Sequence, residues 1–222
     1  LGLPATEFLK SFEIIIQSGA ILAVLSLYWR KFLDIDLLKR LVVAFIPAGI
    51  IGFALYALIK DVLLGDITFT LWVLGLGGLG LILFEKWQSK KVLRVESVET
   101  MNYKTCFMVG VAQSLAIIPG VSRAGATIVG GMLMGVRRET IVEFSFLLAV
   151  PTMLAATTLD VLKTPTLFAE GQASLLVVGL IASFITAILS IKFLLAYIRR
   201  HTFTAFGVYR VAIALIGLII MT

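Results

Sequence analysis

The segment GVAQSLAIIPGVSRAGATIVGGMLMG, residues 110–135, decides the architecture. It is apolar enough to lie in a membrane, yet it is broken at its centre by Pro119, Gly120 and the charged Arg123. Together with the residues ahead of it, it forms a region of some 32 residues, 104–135, longer than the roughly 20 that one span needs. Proline removes a helix donor and glycine loosens the backbone, so the region reads as two half-helices meeting at a turn.

The rest of the chain has the same solvent. Sixty percent of its 222 residues are apolar, 14% are charged and the mean hydropathy is +1.07. A water-soluble domain carries charge on about a quarter of its residues. Uncharged stretches at 41–59, 67–84, 105–122 and 171–191 recur at membrane length, and shorter ones at 14–29 and 144–159 become spans with their flanks. Helices are expected at 12–29, 41–59, 67–84, 140–162, 173–198 and 203–221. The fold class is therefore an all-α polytopic membrane protein, with about six transmembrane helices plus one re-entrant helical hairpin at 104–135, in a single integral membrane domain over 1–222. Cys106 has no second cysteine to pair with, which excludes an internal disulfide. The net charge of +6 sits in short loops between apolar runs, where basic residues set orientation, and nucleic-acid binding is not expected. The chain opens with Leu1 and shows no signal-peptide order, so it is expected to be N-terminally incomplete.

Loop charges decide between a hairpin and a crossing. If the 104–135 region returns to its own side, one face collects Arg30, Lys31, Lys39, Arg40, Lys86, Lys90, Lys91, Arg94, Lys104, Arg137, Arg138, Arg199 and Arg200, and the other keeps only Lys10, Lys60 and Lys163. A single crossing makes the charge distribution far more even. The positive-inside rule favours the hairpin, with the basic face cytoplasmic. A weak repeat agrees: FEIIIQSGAIL from Phe12 resembles FSFLLAVPTML from Phe144, and the two copies start on opposite faces. Inverted repeats place their sites near the midplane, where broken helices meet.

Arg123 is the leading candidate for chemistry. An arginine in so apolar a stretch costs several kcal/mol unless it has a partner, and its planar fork of donors matches phosphate oxygens. Ser122 adds a hydroxyl, Thr127 lies one helical turn on, and Gly120 and Gly125 let the backbone approach a ligand. A half-helix starting near Arg123 presents free N–H groups and its positive dipole end to the same point. Gln113, on the facing half-helix, is a candidate for binding or for helix packing. Glu13 and Gln17 share a helix face and fit a cation site or headgroup water equally well. Lys192 and Arg210 lie near helix ends and read as side chains snorkelling to the interface, with His201 also interfacial. Gly75, Gly77, Gly78 and Gly80 read as a surface for close helix contact rather than a nucleotide loop. Glu96 and Glu99 read as solvated.

PGVSRAGAT, followed by GGMLMGV and EFSFLLAVP, resembles the second signature region of the bacterial undecaprenyl-pyrophosphate phosphatase (BacA) family, and FEIIIQSGAILAV resembles a stretch after the first. The similarity runs over nearly the whole chain. It implies an integral membrane enzyme that removes the terminal phosphate of the C55 isoprenoid pyrophosphate, recycling the lipid carrier for peptidoglycan precursors and linked to bacitracin resistance. It implies that Arg123 binds the pyrophosphate with Ser122 and Thr127 nearby, and that a divalent cation, Mg²⁺ or Ca²⁺, supports activity. It further implies a first hairpin ahead of Leu1, bearing an E-x-x-x-E motif and a histidine; without it, the chain holds the phosphate clamp but not the acid/base half and is expected to be inactive alone. Ala124 stands where many relatives have a second serine. The expected partners are the polyprenyl pyrophosphate and membrane lipids in the bacterial inner membrane, with a homodimer among the assemblies the sequence allows. A transporter or flippase for an anionic lipid is the competing function, since it shares the broken helices and the arginine.

Overall fold

Large apolar side chains cover the outside of this protein as well as its core. Leu76, Leu189 and Ile219 point outward, while Glu85, Gln88, Thr127 and Ser145 are buried. Such a surface suits a solvent of lipid tails, with the polar groups paired inside. The computed structural model describes residues 7–62, 66–88, 95, 97–163 and 173–221. Among them are eight α-helices: α1 (Glu7–Tyr28), α2 (Ile35–Val62), α3 (Ile67–Gln88), α4 (Tyr103–Ser114), α5 (Arg123–Leu133), α6 (Arg138–Lys163), α7 (Ala173–Ile198) and α8 (Thr204–Met221). Three helical stretches, Ile67–Gln88, Ser174–Ile198 and Thr204–Met221, are long and apolar enough to cross a membrane by length and composition. The all-helical, multi-pass expectation is met.

Helix starts follow local capping chemistry. The Asp34 carboxylate accepts from the Asp36 and Leu37 amides, so α2 begins six residues before the uncharged run at 41. Charged Asp36, Lys39 and Arg40 are tolerated there because they occupy the helix's first turns. Asn102 caps α4 through the Thr105 amide, and Ser122 caps α5 through the Gly125 amide.

The 104–135 region is a helical hairpin. Its limbs have 12 and 11 residues, about 18 and 16 Å long at 1.5 Å per residue, each far short of a roughly 30 Å hydrocarbon core. Between them, a 3-10 turn (Leu115–Ile117) runs into Pro119 and Gly120. Gly120 has φ of +89°, a conformation costly for any residue with a Cβ. Both limbs return to one end of the bundle. There, Arg40 Nε donates to the Met101 carbonyl (2.7 Å), Val95 exchanges backbone bonds with Gly135 and Arg137, and Lys31 reaches Glu99 (2.8 Å). Arg138 pairs with buried Glu85 (2.6 Å), whose other oxygen accepts from the Phe203 amide (3.0 Å). The connections at 30–34, 97–102, 136–138 and 199–203 thus gather at the end expected to be basic. Lys90, Lys91, Arg94 and Glu96 lie outside the described residues.

Packing places the hairpin. α4 lies on α2 and α5 on α6, α1 runs along α6 and α7, and α3 pairs with α8. Of the four glycines expected to permit close contact, three do so: a Cβ on Gly78 would meet the Gly207 carbonyl at 2.7 Å, one on Gly77 the Arg210 guanidinium at 2.9 Å and one on Gly75 Ala214 at 3.1 Å, whereas Gly80 faces open space. At the gathered end, Val98, Met101, Met132, Val136, Ile141 and Phe144 form the core beneath the loops.

Glu99 is exposed, as expected, and is also an ion-pair partner there. Lys31 bridges it to Glu143, at 2.8 Å each. Burial raises the Glu99 carboxyl, but the Lys31 ammonium and the Ser97 hydroxyl outweigh it and bring it down to about 2. A depressed carboxyl contributes stability above its unfolded value of 4.5 and loses it as the pH falls toward 2. Wild type should therefore exceed Glu99→Gln in thermal midpoint by a small margin at pH 6, about 0.5 kcal/mol for so exposed a pair, and the two should converge between pH 4.5 and 2. Thermal melts across that range check it.

Candidate anion-binding site

The α5 N-terminus is built by sequence in three steps. Gly120 reverses the chain, Val121 closes the turn by donating to the Ile118 carbonyl (3.0 Å), and Ser122 starts the helix with its Oγ 3.1 Å from the Gly125 amide. Its hydroxyl proton is left to donate outward. The amides of Arg123 and Ala124, in the first turn, have no acceptor among the described residues, and helix geometry points them past the N-terminus.

Arg123 is half-buried. One Nη1–H donates to Thr152 Oγ1 of α6 (3.2 Å), and that hydroxyl gives its own proton to the Leu148 or Ala149 carbonyl. The guanidinium makes no other hydrogen bond and no ion pair among the described residues. A cationic fork is thus aimed by one neutral hydroxyl, with its remaining donors uncommitted. Thr152 follows Pro151, which interrupts the α6 donor ladder beside the site.

Thr127 is fully buried. Its hydroxyl lies 3.1 and 2.9 Å from the Arg123 and Ala124 carbonyls and 2.7 Å from Ser145 Oγ of α6. It ties the first turn of α5 to α6 and so holds Arg123 against Thr152. Gln113 is buried on α4 and joined by no hydrogen bond to Ser122, Arg123 or Thr127. Gly125 and Ser122 line a cavity of about 620 Å³ on the other side of α5, against α3 and α8. Gly120 is wedged against α3, where a Cβ would run into the Thr70 carbonyl. The structure therefore brings Ser122, Arg123, Thr127, Gly120 and Gly125 together around one helix start.

Two partners from α6, Thr152 and Ser145, are not legible in the sequence. Both lie in or beside the EFSFLLAVP block, but a lone hydroxyl in an apolar helix gives no sign of which arginine it faces. Arg210 corrects an expectation. Rather than snorkelling, it turns inward, and its Nη2 donates to the Gly120 carbonyl at 2.8 Å. Lys192 is exposed, and His201 is exposed and stacked on Tyr197. The Glu13 side chain lies outside the described residues, and Gln17 is exposed. No group of three His, Cys, Asp or Glu side chains that would hold a metal occurs among the described residues.

Fold and site together define a multi-pass helical membrane protein that presents a cationic, hydrogen-bonding helix start at the tip of a broken hairpin. Residues 1–216 match the family described as Bacitracin resistance protein BacA, and the chain belongs to that family. It is 47% identical over 216 residues to the undecaprenyl-diphosphatase of Sulfurihydrogenibium sp., a match covering 97% of this chain and 85% of that protein. The undecaprenyl-diphosphatase of Aquifex aeolicus is 46% identical over 217 residues (97% and 84%), and that of Campylobacter jejuni is 41% identical over 218 (97% and 81%).

Proposed function

We propose that this protein is an undecaprenyl-diphosphate phosphatase of the bacterial inner membrane, cleaving the C55 isoprenoid diphosphate to the monophosphate and inorganic phosphate for cell-wall lipid recycling. The observation that carries it is Arg123: a guanidinium at a helix start in an apolar protein, held by one neutral hydroxyl and otherwise uncommitted. A diphosphate supplies the missing partner. Its terminal oxygens accept from the Arg123 fork, the Arg123 and Ala124 amides and the Ser122 hydroxyl, while Thr127 and Thr152 hold that geometry. These donors stabilise the charge that builds on the transferred phosphoryl and on the bridging oxygen as water adds to the terminal phosphorus and the bridge breaks.

The topology proposed is six spans plus a re-entrant hairpin, with the gathered loop end cytoplasmic. Its support is the short limbs of α4 and α5, their common end and the loop charges. A divalent cation, Mg²⁺ or Ca²⁺, belongs to the proposal through the family resemblance. The described residues gather no ligand set that fits one, so no step here is assigned to it.

The isoprenoid tail is proposed to enter the cavity beside α5, which begins at Ser122, Gly125 and Arg210 and continues over Leu81, Phe84, Leu194 and Phe206. Its size is that of a ligand pocket. Gly80 lines it, and a Cβ there meets nothing within 4 Å, so the backbone has room for a side chain and Gly80→Phe directs a ring at this space. Displacing the equivalent of two buried methylenes raises KM for undecaprenyl diphosphate about tenfold, with kcat and thermal midpoint nearly unchanged. Initial-rate kinetics on the purified variant checks this.

The function itself is tested by phosphate release from undecaprenyl diphosphate by the purified full-length protein in nanodiscs, with and without Mg²⁺ or Ca²⁺. Stoichiometric monophosphate and phosphate are expected. Transfer of intact diphosphate across the bilayer with no release would instead establish a flippase.

A further inference from the structure

Arg210 sits on α8, 90 residues from the hairpin tip that it touches. Its Nη2–H donates to the Gly120 carbonyl at 2.8 Å, the shortest bond that the turn makes to another element. That carbonyl belongs to the residue at positive φ and accepts no backbone bond among the described residues. Without Arg210, it would be an unsatisfied acceptor in an apolar setting. The side chain reaches the tip across a bed made for it on α3: a Cβ on Gly77 would lie 2.9 Å from Nη2, and one on Gly78 would lie 2.9 Å from the Arg210 Cβ. The Arg210 Nε is buried and has no hydrogen-bond partner, so the Gly120 contact is the group's only polar anchor among the described residues. Gly120 lies two residues before the Ser122 cap and three before Arg123. Where the turn sits fixes where α5 starts.

We infer that Arg210 is a positioning residue for the anion site. It acts from α8 through the Gly120 carbonyl, holding the hairpin tip in the reversed conformation that starts α5 at Ser122 and aims Arg123 at the substrate's phosphates. The inference rests on the phosphatase reading for its consequence in catalysis, but not for its structural content.

The test has a structural arm and a kinetic arm, both on the full-length protein in nanodiscs. In the first, amide hydrogen exchange is compared between wild type, Arg210→Met and Arg210→Lys. Arg210→Met is expected to speed exchange at residues 121–126 about tenfold while leaving α6 and the far half of α8 unchanged, and Arg210→Lys, which keeps a donor on a shorter reach, to recover part of the protection. In the second, Arg210→Met lowers kcat/KM for undecaprenyl diphosphate about thirtyfold, Arg210→Lys restores part of it, and adding Arg210→Met to Arg123→Ala costs less than about twofold, because the turn then has no guanidinium to aim. Unchanged exchange at 121–126 in Arg210→Met overturns the inference. So does a thirtyfold loss that persists in the Arg123→Ala background, which would make Arg210 an independent contact. Loosening of the turn in Arg210→Met, alongside a wild type that releases no phosphate, would support the structural role while sinking the phosphatase reading.

Discussion

Arg123→Ala is expected to lower kcat/KM for undecaprenyl diphosphate about a thousandfold without lowering the thermal midpoint. Removing one preorganised donor from a developing oxyanion costs 10²–10³ in rate, and here the donor carries a full charge in a low-dielectric setting. The absence of a stability cost follows from the contacts. Arg123 is held by a single bond to Thr152 and pairs with no carboxylate among the described residues, so its loss removes a poorly compensated charge. Activity at the expense of stability is the usual signature of a binding group. Arg123→Lys should recover only part of the rate, since an ammonium keeps the charge but loses the planar fork. Initial rates and melts of the three proteins in one detergent check the set. A midpoint that drops with the rate in Arg123→Ala would make Arg123 a folding residue.

The second large effect is on stability. Glu85→Ala should destabilise the protein by about 3–5 kcal/mol, the range for removing one partner of a buried ion pair. Glu85 is 3% exposed and holds two elements at once, Arg138 at the start of α6 and the Phe203 amide at the start of α8. Its loss strands a guanidinium already stacked over the Phe203 ring and leaves that amide unpaired. Glu85→Gln keeps an acceptor for Phe203 and should cost less than alanine. Denaturant unfolding in mixed micelles measures both. Equal stability of wild type and Glu85→Ala would mean that the α3, α6 and α8 ends are held together by apolar packing alone.

The chain discloses its helices readily, because membrane length and lack of charge are properties of contiguous sequence. α7 spans the expected 173–198, and α3, α6 and α8 fall within a few residues of expectation. α2 is longer because a helix does not stop at charged residues that it can carry into the interface. The hairpin is also legible: Pro119, Gly120 and Arg123 break an apolar run at its midpoint, and the loop charges favour a return over a crossing. The partners of that hairpin are not legible. Thr152 meets Arg123 across 29 residues, and Arg210 meets Gly120 across 90, so neither pairing leaves a local pattern. Position near a helix end made Arg210 look interfacial, but the glycine bed on α3 lets it turn inward. The loop around Glu99 shows only that the residue meets solvent, whereas its ion pair with Lys31 depends on where α1 ends.

The start of α5, with Arg123 at its head, is the proposed binding site of the diphosphate. The most direct measurement is the affinity of the full-length protein in nanodiscs for a non-hydrolysable polyprenyl methylenediphosphonate, compared between wild type and Arg123→Ala. A dissociation constant at least a hundredfold weaker in the variant is predicted, with the difference shrinking as salt is raised. Equal affinity in the two proteins would move the anion site away from the hairpin.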